Sequence, residues 1–388
     1  MSAATDKARL RAPAVPIPIV VLTGFLGAGK TTLLNRLLKD PALAQTAVII
    51  NEFGEIGLDH LLVEHVDENV MLLQSGCLCC TMRGDLVDAL ETLLRDLDNN
   101  RCKFTRVVLE TTGLADPAPV LQTAMADPYL VMRYRLDGVI AVVDAVNGSA
   151  TLDAHAEAVK QAAMADRLVL SKSDMVEDAA ELARLKTRLR ALNPAAAILD
   201  AAKGEATTDQ LTGCGLYDPD RKIPDVKKWL AEEAYADAQA ARQQGHHHHD
   251  HGHRHHHEDP NRHDEHIRAF ALTADQPIAA GTLDMFLALL VSQYGSNLLR
   301  LKGIVHLAET PEQPLVIHGV QHILHPPSRL ERWPDDDRRT RLVFITKDLA
   351  ESTVRELFQA FLNNAAPDRP DRAALTDNPL VPFGGADR

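Results

Sequence analysis

Aromatic side chains are scarce in this chain, at 4% of 388 residues, so its core must be built from Leu, Val, Ile and Ala. Apolar residues still make up 45%, enough for a sizeable core, and the length is more than one domain's worth. There is no excess of basic residues. The formal net charge is −13, which argues against nucleic acid as the main partner, because neutralising phosphates takes patches of Lys and Arg. No apolar run approaches about 18 residues, so no transmembrane helix and no membrane partner are expected. The first sixteen residues are basic but lack the apolar centre of a secretory signal, and read as a disordered lead-in. Cysteines number only five, and three of them crowd into Cys77-Leu78-Cys79-Cys80. A disulfide framework would space them out, so reduced thiols and a cytoplasmic location are expected.

Glycine, by contrast, is concentrated where it can do chemistry. Gly24-Phe25-Leu26-Gly27-Ala28-Gly29-Lys30-Thr31 fits the phosphate-binding pattern G-x-x-x-x-G-K-[ST]. The apolar strand Pro18 to Leu22 enters it, and a segment of helical periodicity, Thr32 to Lys39, leaves it. Backbone N–H groups of Gly24, Gly27, Ala28, Gly29 and Thr32 can approach phosphate oxygens, helped by the positive end of the helix. Lys30 would reach the β- and γ-phosphates, and Thr31 would offer its hydroxyl to Mg²⁺. A glycine-rich turn before an ordinary helix would have no reason to carry Lys and Thr in that register.

Further apolar strands are expected at Ala47–Ile50, Val70–Leu73, Arg106–Leu109, Asp137–Val143 and Arg167–Leu170. They alternate with helical segments, such as Arg83 to Leu97, up to about Leu211. That alternation predicts an α/β fold: a doubly wound, mostly parallel sheet of the P-loop NTPase kind, over residues 17–224. Ligand loops of such sheets sit at the carboxyl ends of strands. Glu52 and Glu55 therefore fall near the nucleotide, although acidic loops are more often merely solvated. Glu110 ends its strand as a Walker B acid does, beside Mg²⁺, and Gly113 can bring backbone close to the γ-phosphate. Lys30, Thr31 and Glu110 are the expected catalytic set, and no side chain stands out as the group that positions water. Ser171-Lys172-Ser173-Asp174 is similar to the guanine-reading N-K-x-D, with Ser171 in place of Asn. Asp174 would accept from guanine and the Lys172 stem would pack over the base, rejecting adenine.

The cysteine cluster allows three readings. It can hold a soft metal, act as a redox pair, or pack as buried thiols; flanking Gly and Thr mark a loop and favour metal. Cys77, Cys79 and Cys80 would leave a fourth tetrahedral position for Glu52, Glu55, water or a recipient protein. Cys102 and Cys214 have no partner pattern and read as structural. His60 and His65 read as solvated. Residues 225–265 read as a polar helix followed by a histidine-rich linker. His246, His247, His248, His249, His251, His253, His255, His256 and His257 would collect Zn²⁺, Co²⁺ or Ni²⁺ with modest selectivity. An expression tag would be terminal, whereas this run separates two structured segments. Residues 266–366 carry a β-α-β-β-β-α pattern, which predicts a smaller α+β domain, and 367–388 reads as a loose tail.

Together these residues resemble the CobW family of metallochaperone GTPases. The resemblance rests on Gly24–Thr32, Asn51–Gly54, Gly76–Cys80, Glu110–Gly113, Ser171–Asp174, the histidine-rich linker and Trp333-Pro334-Asp335-Asp336. The Gly-Cys-x-Cys-Cys element is the most specific part, since ordinary P-loop GTPases lack it. The resemblance implies GTP hydrolysis gating transfer of zinc to a client metalloprotein, with GTP, Mg²⁺ and Zn²⁺ as cofactors. A cobalt or nickel insertase, for example in cobalamin synthesis, is the alternative, and a non-enzymatic metal buffer or sensor is a further one. An ATP-dependent kinase is disfavoured by Lys172 and Asp174. The oligomeric state is open.

Overall fold

A strand that is buried on both faces must be apolar throughout, and β1 (Ile17–Gly24) is the plainest case. The computed structural model describes residues 16–51, 71–75, 82–214, 266–325 and 327–362. Within them β1 forms the middle of a seven-stranded sheet with β2 (Thr46–Asn51), β3 (Met71–Ser75), β4 (Arg106–Glu110), β5 (Tyr134–Asp144), β6 (Arg167–Ser171) and β7 (Ala197–Asp200). The order is β3-β2-β4-β1-β5-β6-β7, and every pairing is parallel. The expected doubly wound sheet is thus present. β5 begins three residues before its expected start at Asp137, because Tyr134 is itself buried and its hydroxyl donates to the Leu90 carbonyl at 3.0 Å.

Helices cover both faces. On one, α1 (Lys30–Leu38) lays Leu33, Leu34 and Leu38 against Val20, Val48 and Val108. The other is covered by α2 (Met82–Asp98), α3 (Pro117–Ala126), α6 (Ala156–Met164) and α7 (Ala179–Leu192), with α4 (Pro128–Arg133) and α5 (Gly148–Ala154) between α3 and α6 and α8 (Thr208–Leu211) after β7. Leu86, Leu90, Leu93 and Leu94 give α2 its i, i+4, i+7, i+8 stripe, each leucine contributing ~2 kcal/mol by burial.

The C-terminal module is an antiparallel sheet with helices on one face. Its strands β8 (Ile267–Ala274), β9 (Leu298–Val305), β10 (Leu315–Val320), β11 (Ile323–Leu324) and β13 (Thr340–Lys347) run in the order β11-β10-β9-β13-β8, and β12 (Ser328–Arg329) pairs with β10. Alternation along each strand splits the two faces. Phe270, Leu272, Leu342 and Phe344 meet α9 (Ala280–Tyr294) and α10 (Glu351–Leu362) through Phe286, Leu290 and Phe358. Ala269, Ile304, Val343 and Ile345 instead join the core beneath α6 and α7. Trp333 belongs to that second core and donates to the Pro311 carbonyl at 2.7 Å. Asp335 holds Arg341 of β13 by two bonds of 3.0 Å, so the Trp-Pro-Asp-Asp stretch braces this sheet.

One charged node is buried where the two modules meet. Asp166, just ahead of β6, is 4% exposed. It accepts from Arg300 at 2.5 Å and Lys302 at 2.7 Å, both on β9, and from the Val139 N–H at 2.9 Å. Burial alone would raise this carboxyl, but Arg300 and Lys302 outweigh it and hold it well below the ordinary carboxylate range. Burial and then the Arg300 charge keep His318 and His325, stacked at 4.6 Å nearby, neutral at physiological pH. Asp166→Asn would leave two buried cations facing an amide. The expected loss is roughly 3–5 kcal/mol in urea unfolding. Asp284→Asn, on the exposed face of α9, should cost less than about 0.5 kcal/mol. An unchanged unfolding midpoint for Asp166→Asn would show that the node does not hold the modules together.

Candidate functional site

The carboxyl ends of β1, β4, β5, β6 and β7 converge, and the loops that follow them form the site. Gly24 ends β1 at φ 140°, and a Cβ there would stand 2.3 Å from the Val142 carbonyl of β5. The loop can therefore leave the sheet here only without a side chain. Gly29, at φ 91°, starts α1 directly from the loop, so the first N–H groups of that helix point into the cradle. The Lys30 ammonium folds over the loop to the carbonyls of Gly24 at 3.0 Å and Phe25 at 3.3 Å.

From below, Thr31 donates its hydroxyl to Glu110 Oε1 at 2.8 Å. Glu110 is 3% exposed and ends β4, whose residue 110 stands opposite Leu22 of β1. Two hard oxygens thus converge from α1 and β4, a donor set that suits Mg²⁺. The longer arm of Glu, in place of the commoner Asp, makes the contact directly. Thr111 donates to Thr23 at 2.9 Å and fastens the next residue of the same loop to β1. Gly113 lies against the cradle, since a Cβ on it would be 2.5 Å from the Leu26 nitrogen.

The β6 loop is bonded to the cradle as well. Ser171 Oγ donates to the Ala28 carbonyl at 2.6 Å. Lys172, at φ 56°, reaches the Gly27 carbonyl at 2.8 Å and Asp144 Oδ2 at 2.7 Å. Burial works against the Asp144 carboxylate, but bonds from Lys172, Asn147 and backbone N–H groups leave it below its ordinary range. Asp174 sits in a short 3₁₀ turn, Ser173–Met175, and is exposed. Ser173 bonds Asp200 at the end of β7, and Arg36 of α1 donates to the Ala201 carbonyl at 2.9 Å and that of Ala206 at 2.8 Å. A cavity of about 280 Å³ lies beside the cradle on its β5 side, between Phe25, Ala28, Val142, Leu152, Gln161 and Lys172.

The structure therefore brings together Gly24, Gly27, Ala28, Gly29, Lys30, Thr31, Glu110, Gly113 and Lys172, with Thr32 in the first turn of α1. Glu52, Glu55, His60, His65, Cys77, Cys79, Cys80 and His246 to His257 lie outside the described residues. Among the described residues no cluster of three or more His, Cys, Asp or Glu could hold a metal. Cys102 and Cys214 are free thiols, and burial pushes Cys214 up to about 12. Sequence reasoning saw Ser171 only as a departure from Asn. It missed the β7 loop and Gln161, whose amide donates to the Gly113 and Ala115 carbonyls at 3.2 and 3.0 Å. Ala201-Ala202-Lys203-Gly204 after an apolar strand was the signal for the loop. Gln161 gave none.

Residues 18–200 match the CobW/HypB/UreG nucleotide-binding domain, and residues 267–362 match the cobalamin synthesis protein cobW C-terminal domain. The zinc chaperone YjiA of Escherichia coli is 32% identical over 343 residues, covering 88% of this chain and 98% of that protein. A zinc-regulated GTPase metalloprotein activator of Schizosaccharomyces pombe is 35% identical over 196 residues, 49% of this chain and 46% of its own length. The crystal structure of Zn(II)-bound YjiA GTPase from E. coli superposes with a TM-score of 0.63 at 26% identity, covering 89% of this chain and 99% of that one.

Removing the Ser171 hydroxyl tests the link between the β6 loop and the cradle. Ser171→Ala should weaken nucleoside triphosphate binding about fivefold, the value of one net hydrogen bond of ~1 kcal/mol. Equilibrium titration with a fluorescent nucleotide measures it, and unchanged affinity would mean that the cradle holds its shape without Ser171.

Proposed function

The chain belongs to the CobW family, and we propose that it is a GTP-hydrolysing metallochaperone that takes up zinc at Cys77, Cys79 and Cys80 and passes it to a client metalloprotein. The zinc chaperones and GTPase metalloprotein activators among its relatives support this reading. The observation that carries it is the bonded unit at the carboxyl edge of the sheet. Thr31 to Glu110 at 2.8 Å, Ser171 to Ala28 at 2.6 Å and Lys172 to Gly27 at 2.8 Å join the magnesium, phosphate and base positions in one network.

In this reading Gly27, Gly29 and Lys30 cradle the phosphates, and Asp174 accepts from the guanine edge. Thr31 and Glu110 would hold Mg²⁺, which when bound neutralises charge developing on the β- and γ-phosphate oxygens. The residues around it orient the triphosphate; Gly113, pressed against Leu26, fixes backbone at the γ-phosphate position. Zinc is the cargo. Thiolates are soft ligands that suit it, and three of them leave a coordination position through which it can be handed on. Loss of the γ-phosphate releases the loops that followed it, a known mode of switching. Glu52 and Glu55, which follow β2 in the sequence, would feel that release and change the metal's surroundings. No helix among the described residues is long and apolar enough to cross a membrane.

Two substitutions separate the halves of this reading. Cys79→Ala should abolish tight stoichiometric zinc binding in a chelator competition assay and, with both proteins metal-free, leave GTP affinity within about twofold of wild type; retained zinc affinity would remove the cysteines from the metal site. Asp174→Asn should lower the preference for GTP over ATP by about 10²-fold or more, because the pocket then meets the guanine N–H groups with the wrong partner. Intact discrimination would place base reading elsewhere.

A further inference from the structure

Helix α6 holds the segment after β4 by three consecutive side-chain bonds. Gln161 donates to the carbonyls of Gly113 at 3.2 Å and Ala115 at 3.0 Å. Its neighbour Lys160 pairs with Asp116 Oδ2 at 2.9 Å, and the other Asp116 oxygen accepts from the Ala118 N–H at 3.0 Å and so caps α3. The Gln161 side chain is 1% exposed, and its Oε1 accepts no hydrogen bond among the described residues. A buried amide that leaves its acceptor unused is costly at a place where Leu or Met would fill the space. What the amide supplies is a pair of donors, and both go to the loop that lies against Leu26 of the cradle.

The last turn of the same helix is also tied to the other module. Arg300 Nη1 donates to the Met164 carbonyl, the last residue of α6, at 2.6 Å, and its other nitrogen meets Asp166 at 2.5 Å. The C-terminal turn of this nine-residue helix, from Gln161 to Met164, therefore links Gly113 to β9. A short rigid link of this kind gives a shift at one contact a physical route to the other.

We propose that Gln161 is the positioning residue for Gly113: by pinning the Gly113 and Ala115 carbonyls to α6 it sets the backbone that meets the γ-phosphate, and it carries the presence or loss of that phosphate to β9 of the C-terminal sheet. The proposal deepens the GTPase reading and rests on it. Gln161 touches no reacting atom; its effect runs through Gly113. Because the cradle itself is held by Ser171 and Lys172, GDP binding does not depend on Gln161.

Fluorescent GDP and the non-hydrolysable analogue GMPPNP, titrated against the full chain, separate this from a structural role. Gln161→Met removes both donors at nearly constant length. GDP affinity should stay within about twofold of wild type while GMPPNP affinity falls about tenfold, a typical coupling magnitude. A parallel fall for both nucleotides, or no change for either, would overturn the proposal. Gln161→Glu, which keeps length but sets an acceptor against two carbonyls, should give the same split and serves if Gln161→Met does not fold. Amide exchange of Leu298–Val305 should respond to replacing GDP by GMPPNP in wild type and not in the variant; equal responses would cut the route through α6. Wild-type protein that binds neither nucleotide would refute the GTPase reading itself. Wild type and variant that discriminate equally would refute only the role of Gln161.

Discussion

The register of β1 against its neighbours is the constraint on which the site depends. Leu22 stands opposite Glu110, Gly24 opposite Val142, and Asp144 opposite Ser171. That alignment brings a helix N-terminus, a buried acid and the β6 loop to the same edge. A slip of one residue between β1 and β4 would turn Glu110 to the other face and leave Thr31 without its acceptor. Strands buried on both faces carry no inside–outside pattern to fix this register, so specific contacts such as the bond of Thr111 to Thr23 at 2.9 Å hold it. It is also held by Gly24, where β5 approaches too closely for any side chain.

The second module is joined by charge set within an apolar seam. Ala269, Ile304, Val343 and Ile345 supply the apolar part, as a sheet buried on both faces requires. Asp166, Arg300 and Lys302 supply a contact that is satisfied in one relative placement only. A buried ion pair adds little net stability compared with apolar packing, yet it penalises misplacement strongly. The contact therefore serves to set how the C-terminal sheet sits on α6. Since α6 also grips the loop after β4, orientation of the sheet and geometry around Gly113 share one support.

Much of this was legible in the sequence because local rules suffice for it. The cradle from Gly24 to Thr31 is contiguous, and its strand and helix announce themselves by period. Glu110 could be read from an apolar strand ending in an acid. The β-α-β-β-β-α order of the C-terminal module followed from alternation, although β11 and β12, two residues each, are too short to show a pattern. What stayed hidden is non-local. Arg300 and Lys302 look like the polar positions of a strand with a solvated face; only the packing of β9 on α6 turns them inward, to an Asp more than a hundred residues earlier. Gln161 looks like an ordinary polar residue in an alanine-rich helix. Ser171, which seemed a weakened copy of Asn, bonds the cradle with a hydroxyl instead.

In the proposed function the nucleotide and the metal act on each other through one scaffold. Coupling between two sites is reciprocal, so zinc affinity must depend on which nucleotide is bound. The most direct test is a chelator-competition measurement of zinc affinity on the full chain saturated with GMPPNP and, separately, with GDP. The two affinities should differ by roughly 5–150-fold, the usual range for coupled sites. Equal zinc affinity in the two nucleotide states would contradict that coupling.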